Sequence, residues 1–343
     1  MKFCVPSIIL ALATISTCQV KAFLPVLKTT LSTSLHDSSV NKDKSVATPS
    51  PISLKILPQD ITSETATVAT PFFLTGGESR SIEELPLGVR LTGGEKLRRE
   101  GLTGKGIKVA VIDDGIAASH PGFDDKVVLQ TSFQQGPIGP HGTHVAGTIH
   151  MMAPDAEIHD YRAMDDQGQG GDTIIAKAIR EAVADGCDII NMSIAGKSKT
   201  NTLRRAMGYA SYSGVIMVCA AGNRGDGNPL TNEISFPASF EDAISVAAVF
   251  KKDNLPVANF SQSNDQVDYA GIGVDVLSFK PDGNYVRFDG TSMASPHVCG
   301  FIAALMTKDA TYSEIIKDDS SLRKLLNENF CIDIGTKGRD NAT

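Results

Sequence analysis

Residues 107–114 read IKVAVIDD, and this stretch decides the fold class of the chain. It is a nearly continuous apolar run that ends in two acids. Such a run is typical of a strand buried on both faces, and strands of this kind occur in parallel sheets covered by helices. We therefore predict a parallel sheet with residues 107–112 as one of its inner strands.

The chain beyond this strand alternates between helical and strand patterns. Residues 173–185 carry their apolar side chains on one helical face, as a helix packed on a sheet requires. Further strands are predicted at 187–192, 215–220 and 243–250, with a second helix at 201–213. Alternation with short loops predicts a three-layer α/β fold with a mostly parallel central sheet.

Polar residues follow the ends of the predicted strands, where ligand sites lie in parallel sheets. Asp113 and Asp114 end one strand, and Asn223 follows another; each could simply cap a turn. His141 and His144 open a helix in the motif HGTHVAGT. At this spacing the two rings share a helix face and could bind a metal, but no third ligand stands at a recognisable distance in the sequence.

Residues 290–298, GTSMASPHV, open a helix that is apolar nearly all round. Because proline is tolerated only near a helix start, Pro296 predicts that this helix begins at Thr291 or Ser292. Ser292 then lies at the positive end of the helix dipole, beside unpaired backbone N–H groups. An N-cap is the commoner role for such a serine. Taken with the acid, histidine and amide above, it completes the parts of an acyl-transfer site.

The motifs VAVIDDG, HGTHVAGT, AAGN and GTSMASPHV, in that order, resemble those of the subtilisin-like serine proteases. The resemblance runs from Leu85 to the C-terminus, and the order Asp, His, Ser is that of subtilisin. An α/β-hydrolase would place Ser before Asp and His and would carry a G-x-S-x-G elbow. The resemblance implies a subtilisin-like fold and serine endopeptidase activity on polypeptide substrates.

The resemblance also implies a role for each candidate catalytic residue. Ser292 would attack the scissile carbonyl, and His141 would act as the general base and acid. Asp113 would orient the imidazole, and Asn223 would join the Ser292 N–H in binding the oxyanion. The family motif selects His141 over the second histidine and Asp113 over Asp114; spacing alone does not. The extra acid, Asp114, should raise the pKa of His141 and give a neutral-to-alkaline pH optimum.

Substrate-binding residues are carried over from the same resemblance. Two segments would line an extended peptide, and a third set would form the pocket for the residue before the cut. The two segments are Gly168, Gln169, Gly170 and Ser193, Ile194, Ala195; the pocket residues are Ala220, Ala221, Gly222 and Ser235. A cis peptide bond is expected at Phe236–Pro237.

No cofactor is required by this interpretation, and no metal-binding residue is assigned. Many relatives have a calcium loop where this chain has only residues 149–152. Ca²⁺ takes six to eight oxygen ligands, and this link offers no carboxylate, so the usual calcium loop is expected to be absent. Calcium at other positions stays open. Neither CxxC nor HExxH occurs, so zinc has no support.

Composition limits the partners. The formal net charge of −7 argues against nucleic acid as the main partner. No segment reaches the 18 apolar residues of a membrane-spanning helix, so no membrane anchor is expected. Cys187, Cys219 and Cys299 lie in apolar runs and are predicted to be buried thiols rather than parts of a disulfide framework. A monomer is expected.

The N-terminus has a different character. Residues 1–22 have the pattern of a secretory signal peptide, and residues 23–84 form a Ser/Thr/Pro-rich leader or pro-segment that we expect to be largely disordered. The catalytic domain would be residues 85–343. These features indicate the secretory pathway and an extracellular enzyme made as a precursor. A plastid of a secondary-plastid alga is the alternative, because Phe23 follows the expected cleavage site.

Two rival functions stay open at this point. A binding protein could keep the fold without catalysis, although the intact four-residue site argues against it. An exopeptidase would need a blocked cleft, which a sequence does not show. Labelling of Ser292 by a fluorophosphonate and cleavage at internal bonds of long substrates would separate these possibilities.

Overall fold

The computed structural model describes residues 2–4, 85–228, 230–316 and 318–333. Most of the predicted signal peptide and the whole of the predicted leader at 23–84 lie outside the described residues. The same holds for residues 334–343.

Eleven strands occur in the described part of the chain. They are β1 (Lys2–Cys4), β2 (Lys108–Asp113), β3 (Val127–Ser132), β4 (Glu157–Arg162), β5 (Ile189–Met192), β6 (Ile216–Ala220), β7 (Ile244–Val249), β8 (Val267–Ile272), β9 (Val276–Phe279), β10 (Tyr285–Phe288) and β11 (Cys331–Asp333). Nine of them form one sheet in the order β11-β1-β8-β7-β6-β5-β2-β4-β3. Within that sheet only the β1–β11 pair is antiparallel, and β9 and β10 form a separate hairpin.

Seven α-helices accompany these strands in the described part. They are α1 (Leu87–Leu91), α2 (Gly94–Arg99), α3 (His141–Met152), α4 (Asp172–Ala184), α5 (Asn201–Tyr212), α6 (Thr291–Leu305) and α7 (Asp319–Asn329). Alternate residues of β2 enter two different cores. Val109 and Val111 pack with α3 and α6, whereas Ala110 and Ile112 pack with α4 and α5. The sheet is therefore covered on both faces, and the predicted three-layer α/β fold is confirmed.

The strands and helices predicted from apolar patterns are present, and their observed ends lie within two residues of the predicted ones. Apart from the short β1, two inner strands, β4 and β8, were not predicted. Both carry polar side chains that the fold buries: His159, Asp160 and Arg162 in β4, and Asp268 in β8. These residues interrupt the apolar run by which a buried parallel strand is recognised.

The structure places β1, from within the predicted signal peptide, between β8 and β11. Phe3 is buried there, and Cys4 lies opposite Cys331, which is disulfide-bonded. Cleavage after Ala22 would remove this strand, so the signal peptide stays a prediction. Three cysteines, Cys187, Cys219 and Cys299, are buried free thiols, as predicted. In the described part, no helix is both long and apolar enough to cross a membrane.

Candidate active site

Two neighbouring elements bring Asp113 and His141 together. Asp113 is the last residue of β2, and His141 is the first residue of α3, which starts beyond the same edge of the sheet. The Nδ1–H of His141 donates to Oδ1 of Asp113 at 2.7 Å. The Asp113 side chain is only 2% exposed, whereas that of His141 is 32% exposed. A buried carboxylate thus orients a ring that solvent can reach.

The surroundings of His141 favour its charged form. Burial of the ring opposes the charge, but three effects outweigh it: the Asp113 charge, the hydrogen bond to Asp113 and the Asp114 charge. Together they raise the pKa of His141 to about 9. An imidazole with such a high proton affinity is a strong base once it is neutral.

Asp113 and Asp114, which the spacing in the sequence could not tell apart, have different partners in the structure. Asp113 contacts the His141 ring, while the Asp114 carboxylate accepts from the backbone N–H groups of His141 and Gly142. Burial and the charge of Asp113 raise the pKa of Asp114 to about 6. Asp114 therefore contacts the backbone that carries the ring and not the ring itself.

Ser292 is the second residue of α6, within the start predicted from Pro296. Because Pro296 has no N–H, the carbonyl of Ser292, four residues earlier, loses its helical partner. The hydroxyl of Ser193 donates to this carbonyl at 2.8 Å, and the Ser292 Oγ donates to the Ser193 carbonyl at 3.0 Å. Because Pro296 leaves the Ser292 carbonyl without a helical donor, this carbonyl can bind Ser193, which follows β5. The hydroxyl is bonded to Ser193 here rather than to His141; such contacts often tighten only with substrate bound.

Asn223 follows β6 and lies across from the start of α6. Its Oδ1 accepts from the backbone N–H of Thr291 and from the Thr291 hydroxyl, each at 2.8 Å. The Nδ2 of the same amide lies 3.2 Å from the position that a Cβ on Gly290 would take. The oxygen of Asn223 thus binds the N–H of the first residue of α6, and its Nδ2 donor lies beside Gly290. The sequence left two alternative roles for Asn223, a cap and a hydrogen-bond donor. In the structure the two roles use different atoms of the amide and are compatible.

His144 lies apart from this site. It is fully buried, its Nε2–H donates to the Val276 carbonyl at 2.9 Å, and its ring stacks on Phe288. Burial lowers the pKa of His144 to about 4. Across the described ranges, no group of three or more His, Cys, Asp or Glu side chains could hold a metal ion. His141 and His144 therefore have different partners, the Asp113 carboxylate for the first and the Val276 carbonyl for the second.

The position of the family's calcium loop is also helical here. Residues 149–152 continue α3 to its end and are buried. The Ile149 carbonyl accepts from the N–H of Ala153, and the Met151 carbonyl accepts from the Arg98 guanidinium. The side chains of this turn, Ile149, His150, Met151 and Met152, include no carboxylate. The residues present at this position do not fit a calcium ion, which requires several oxygen ligands.

A cavity joins parts of the two predicted substrate segments. Gly170 lines one side, and Ile194 and Ala195 line the other, together with Phe236 and Pro237. The peptide bond between these last two residues is cis, as expected. Gly168 and Gln169 lie in an exposed turn beside the cavity and do not line it, while Ser193 contacts Ser292 instead.

The predicted pocket residues adjoin a side chain that the sequence did not single out. Ala220 and Ala221 are buried, and the buried Ser235 hydroxyl donates to Oε1 of Gln262 at 2.8 Å. A Cβ on Gly222 would lie 2.0 Å from that oxygen, so only glycine fits there. Gln262 lies in the polar stretch FSQSN, which carries no pattern that predicts burial.

Comparisons with known proteins show the family of this chain. A sequence model described as the subtilase family matches residues 104–330. The major intracellular serine protease of Bacillus subtilis (strain 168) is 32% identical over 282 residues, covering 76% of this chain and 88% of that protein. Subtilisin DY of Bacillus licheniformis is 36% identical over 245 residues, covering 67% and 88%.

A solved structure gives the same result. The crystal structure of a cold adapted subtilisin-like serine proteinase matches with a TM-score of 0.58 and 28% identity, covering 66% of this chain and 82% of that one. The family match includes all four residues at the strand ends and helix starts described above: Asp113, His141, Asn223 and Ser292.

Proposed function

The chain belongs to the subtilase family and is a serine-type endopeptidase, and on that premise we propose that Ser292, His141 and Asp113 carry its reaction. The observation that supports this most strongly is the 2.7 Å hydrogen bond from His141 to a buried Asp113. A solvent-accessible imidazole held by a buried carboxylate is the base that an inactive serine hydroxyl needs. The protein hydrolyses polypeptides and needs no cofactor for this chemistry.

The reaction proceeds through a covalent acyl-enzyme. The Ser292 Oγ forms a bond to the substrate carbonyl carbon while His141 Nε2 takes the hydroxyl proton. The same proton then passes to the leaving amine as the peptide bond breaks. Asp113 holds Nδ1–H throughout and stabilises the imidazolium that forms. A water molecule, activated by His141, releases the acyl group and restores the serine.

Two donors bind the negative oxygen of the tetrahedral intermediate. One is the backbone N–H of Ser292, which has no helical acceptor because it lies in the first turn of α6. The other is the Nδ2 of Asn223, whose orientation is fixed by the two bonds from Thr291 to its Oδ1. Both donors are set before the substrate arrives, so little reorganisation is needed when the charge develops.

We place the substrate chain between the segments of Gly168–Gly170 and Ser193–Ala195. The cavity between Gly170 and Ile194 supports this placement. The side chain before the cut would enter between Ala220–Gly222 and Ser235. A single chain supplies every group named, so the proposal requires no second subunit, and we propose a monomer.

Covalent labelling tests the proposal. A fluorophosphonate should label the wild-type protein once, on Ser292, and Ser292→Ala should not be labelled. Ser295→Ala, also on α6 but buried against Asn191, is the matched control and should still label. A long unstructured substrate should be cut at internal bonds. Absence of labelling would favour a binding protein, and release of terminal peptides alone would favour an exopeptidase.

We further propose that residues 1–22 direct the chain to the secretory pathway and that the leader at 23–84 is removed from a precursor. The charged start and short apolar segment support this proposal, and a plastid destination is its alternative. N-terminal sequencing of the mature protein tests it. A mature chain that starts at Phe23 or later supports the proposal. One that keeps Lys2–Cys4 as the strand β1 contradicts it.

A further inference from the structure

The segment that leads into the catalytic histidine is fixed at its two ends by different charged groups. At its start, the Arg162 guanidinium donates to the carbonyls of residues 135, 136 and 137. At its end, the Asp114 carboxylate accepts from two N–H groups. Arg162 ends β4 and Asp114 follows β2, and these strands are neighbours in the sheet. Both anchors therefore belong to the rigid sheet.

Asp114 is buried and makes several hydrogen bonds with the backbone and with Asp113. Its Oδ1 lies 2.6 Å from the N of Gly142, and its Oδ2 lies 3.1 Å from the N of His141. The N–H of Asp114 itself donates to Oδ1 of Asp113 at 2.8 Å, and its carbonyl accepts from the N–H of Gly139 at 3.2 Å. Asp114 as a whole is 2% exposed. Asp114 thus links the catalytic acid to the first turn of the catalytic helix.

The surrounding glycines show how closely the chain is packed on this carboxylate. A Cβ on Gly139 would lie 1.9 Å from Oδ2, and one on Gly142 would lie 3.0 Å from Oδ1. The first residue of α3, by contrast, is preceded by Pro140, whose side chain makes no cap hydrogen bond. The free N–H groups at the start of α3 therefore take their acceptor from a residue 27 positions away in the sequence.

We propose that Asp114 is a positioning residue for His141: its carboxylate caps α3 from the sheet, fixes the backbone that carries the imidazole and supplies a second negative charge beneath it. The inference rests on the proposed function, in which His141 is the base. Asp114 does not contact the substrate or the reacting atoms, and acts only through the histidine.

Three charged groups interact with Asp114: Asp113 at the end of β2, His141 at the start of α3, and Asp160 on β4. Arg162, also on β4, directs its guanidinium to the carbonyls of residues 135–137. Asp113 and Asp160 oppose the ionised form of Asp114, while His141 favours it. Asp114 in turn raises the pKa of His141, in the same direction as Asp113. Removal of its charge should make the histidine easier to deprotonate.

Two substitutions separate the charge from the hydrogen bonds. Asp114→Asn keeps the shape and one acceptor but removes the charge. Asp114→Ser also shortens the side chain, so it cannot reach both N–H groups. Asp160→Asn is the matched control, since Asp160 is a similarly buried acid whose carboxylate accepts from the N–H of Ile116 and from the Gln130 amide rather than from α3. For each protein, kcat and KM on a chromogenic peptide are measured from pH 5 to 10.5, with fluorophosphonate titration of the competent sites.

The expected result has two parts. In both Asp114 variants the acidic limb of kcat/KM moves down by about 1 pH unit, the scale of a lost neighbouring charge. Above that limb the histidine is neutral in every protein, and kcat per competent site should still fall about 10- to 100-fold in Asp114→Ser, because a shift of the base on the order of 1 Å has that effect. Asp114→Asn should lose less, and KM should stay within about 2-fold of the wild type.

Other outcomes overturn the inference. A limb that stays in place, or that moves equally in Asp160→Asn, would show that Asp114 has no particular effect on His141. Full kcat per site in Asp114→Ser above the limb would show that the two hydrogen bonds do not position the base. If Asp114→Ser does not fold, the position of the acidic limb of kcat/KM in Asp114→Asn tests the inference. Failure of the proposed function is distinct, because the wild-type protein would then not be labelled at Ser292.

Discussion

The first turns of α3 and α6 differ sharply from the turns that follow them. Near its start each helix carries a residue that is open to the site: His141 is the first residue of α3, and Ser292 is the second residue of α6. Further along, α3 carries His144 and His150 and α6 carries His297, and all three are almost completely buried. The pKa of His141 is raised to about 9, whereas burial lowers those of His144 and His297 to about 4.

This difference arises from position along the helix and not from residue type. Beyond the carboxyl end of β2, carboxylates of the sheet lie next to the imidazole and outweigh the effect of its burial. One turn further, the partners of His144 and His297 are backbone carbonyls of Val276 and Met293, and no opposite charge compensates the loss of water. A helix that starts at a sheet edge can therefore hold a base in its first turn and neutral core histidines beyond it.

The largest expected effect tests whether His141 and His144, both on α3, have separate functions. His141→Ala should lower kcat by about 10⁶-fold, the magnitude known for loss of the catalytic histidine in subtilisin. His144→Gln, which keeps an N–H donor for the Val276 carbonyl, should retain most of the activity per competent site. The measurement is kcat with fluorophosphonate titration of both variants. Equal losses would mean that both rings belong to one catalytic unit.

Asn223→Ala should have the next largest effect, because it removes a donor at the start of α6. We expect kcat to fall about 10²- to 10³-fold with little change in KM, again the magnitude known for subtilisin. Loss of the cap on Thr291 should cost about 1 kcal/mol of stability as well. Steady-state kinetics and a thermal melt of the same preparation measure the two effects. Near-normal kcat with a lowered melting temperature would leave Asn223 as a cap only.

The buried histidines should make the fold sensitive to acid. The pKa of His144 is about 4 in the folded protein and about 6.5 when unfolded, so the unfolded chain takes up protons first. Its contribution to stability is present above pH 6.5 and is lost as the pH falls towards 4, on the order of 3 kcal/mol in all. His297 acts in the same direction. The raised pKa values of Asp114 and Asp160 act oppositely and favour the fold in acid.

The variant His144→Gln measures how much His144 contributes to the pH dependence of stability. Urea unfolding of the wild type and of His144→Gln is compared at pH 7 and at pH 4.5. The variant should lose less free energy of unfolding between the two values, since it lacks one group that must be protonated. Equal losses in both proteins would contradict the buried neutral state of His144.

The smallest expected effect concerns the far end of α3. Residues 149–152 continue the helix where relatives carry a calcium loop, so EDTA should lower the melting temperature by less than about 2 °C, which corresponds to under 1 kcal/mol. A tightly bound ion stabilises only the folded state, and its removal would lower the midpoint by many degrees. A large drop in a calorimetric scan would therefore place a structural calcium ion in this protein.

The sequence by itself determined the fold class, the start of α6 and the set of polar residues at the strand ends. These features depend on local physical rules: an apolar run buried on both faces, a proline confined to a helix start, and polar residues that follow strands. The order of four motifs then indicated the family. Spacing could not separate His141 from His144 or Asp113 from Asp114, because both members of each pair have the same chemistry at nearly the same place in the chain.

Only the tertiary structure showed that Asp113 and His141 contact each other, and it also gave the contacts from Asp114 to α3 and from Ser193 to Ser292. The last two contacts join residues 27 and 99 positions apart. The strand β4 escaped prediction for a related reason: its buried His159, Asp160 and Arg162 look like surface residues in the sequence. A side chain's charge and its hydrogen-bond partner depend on what the folded chain brings beside it, and a local pattern does not contain that information.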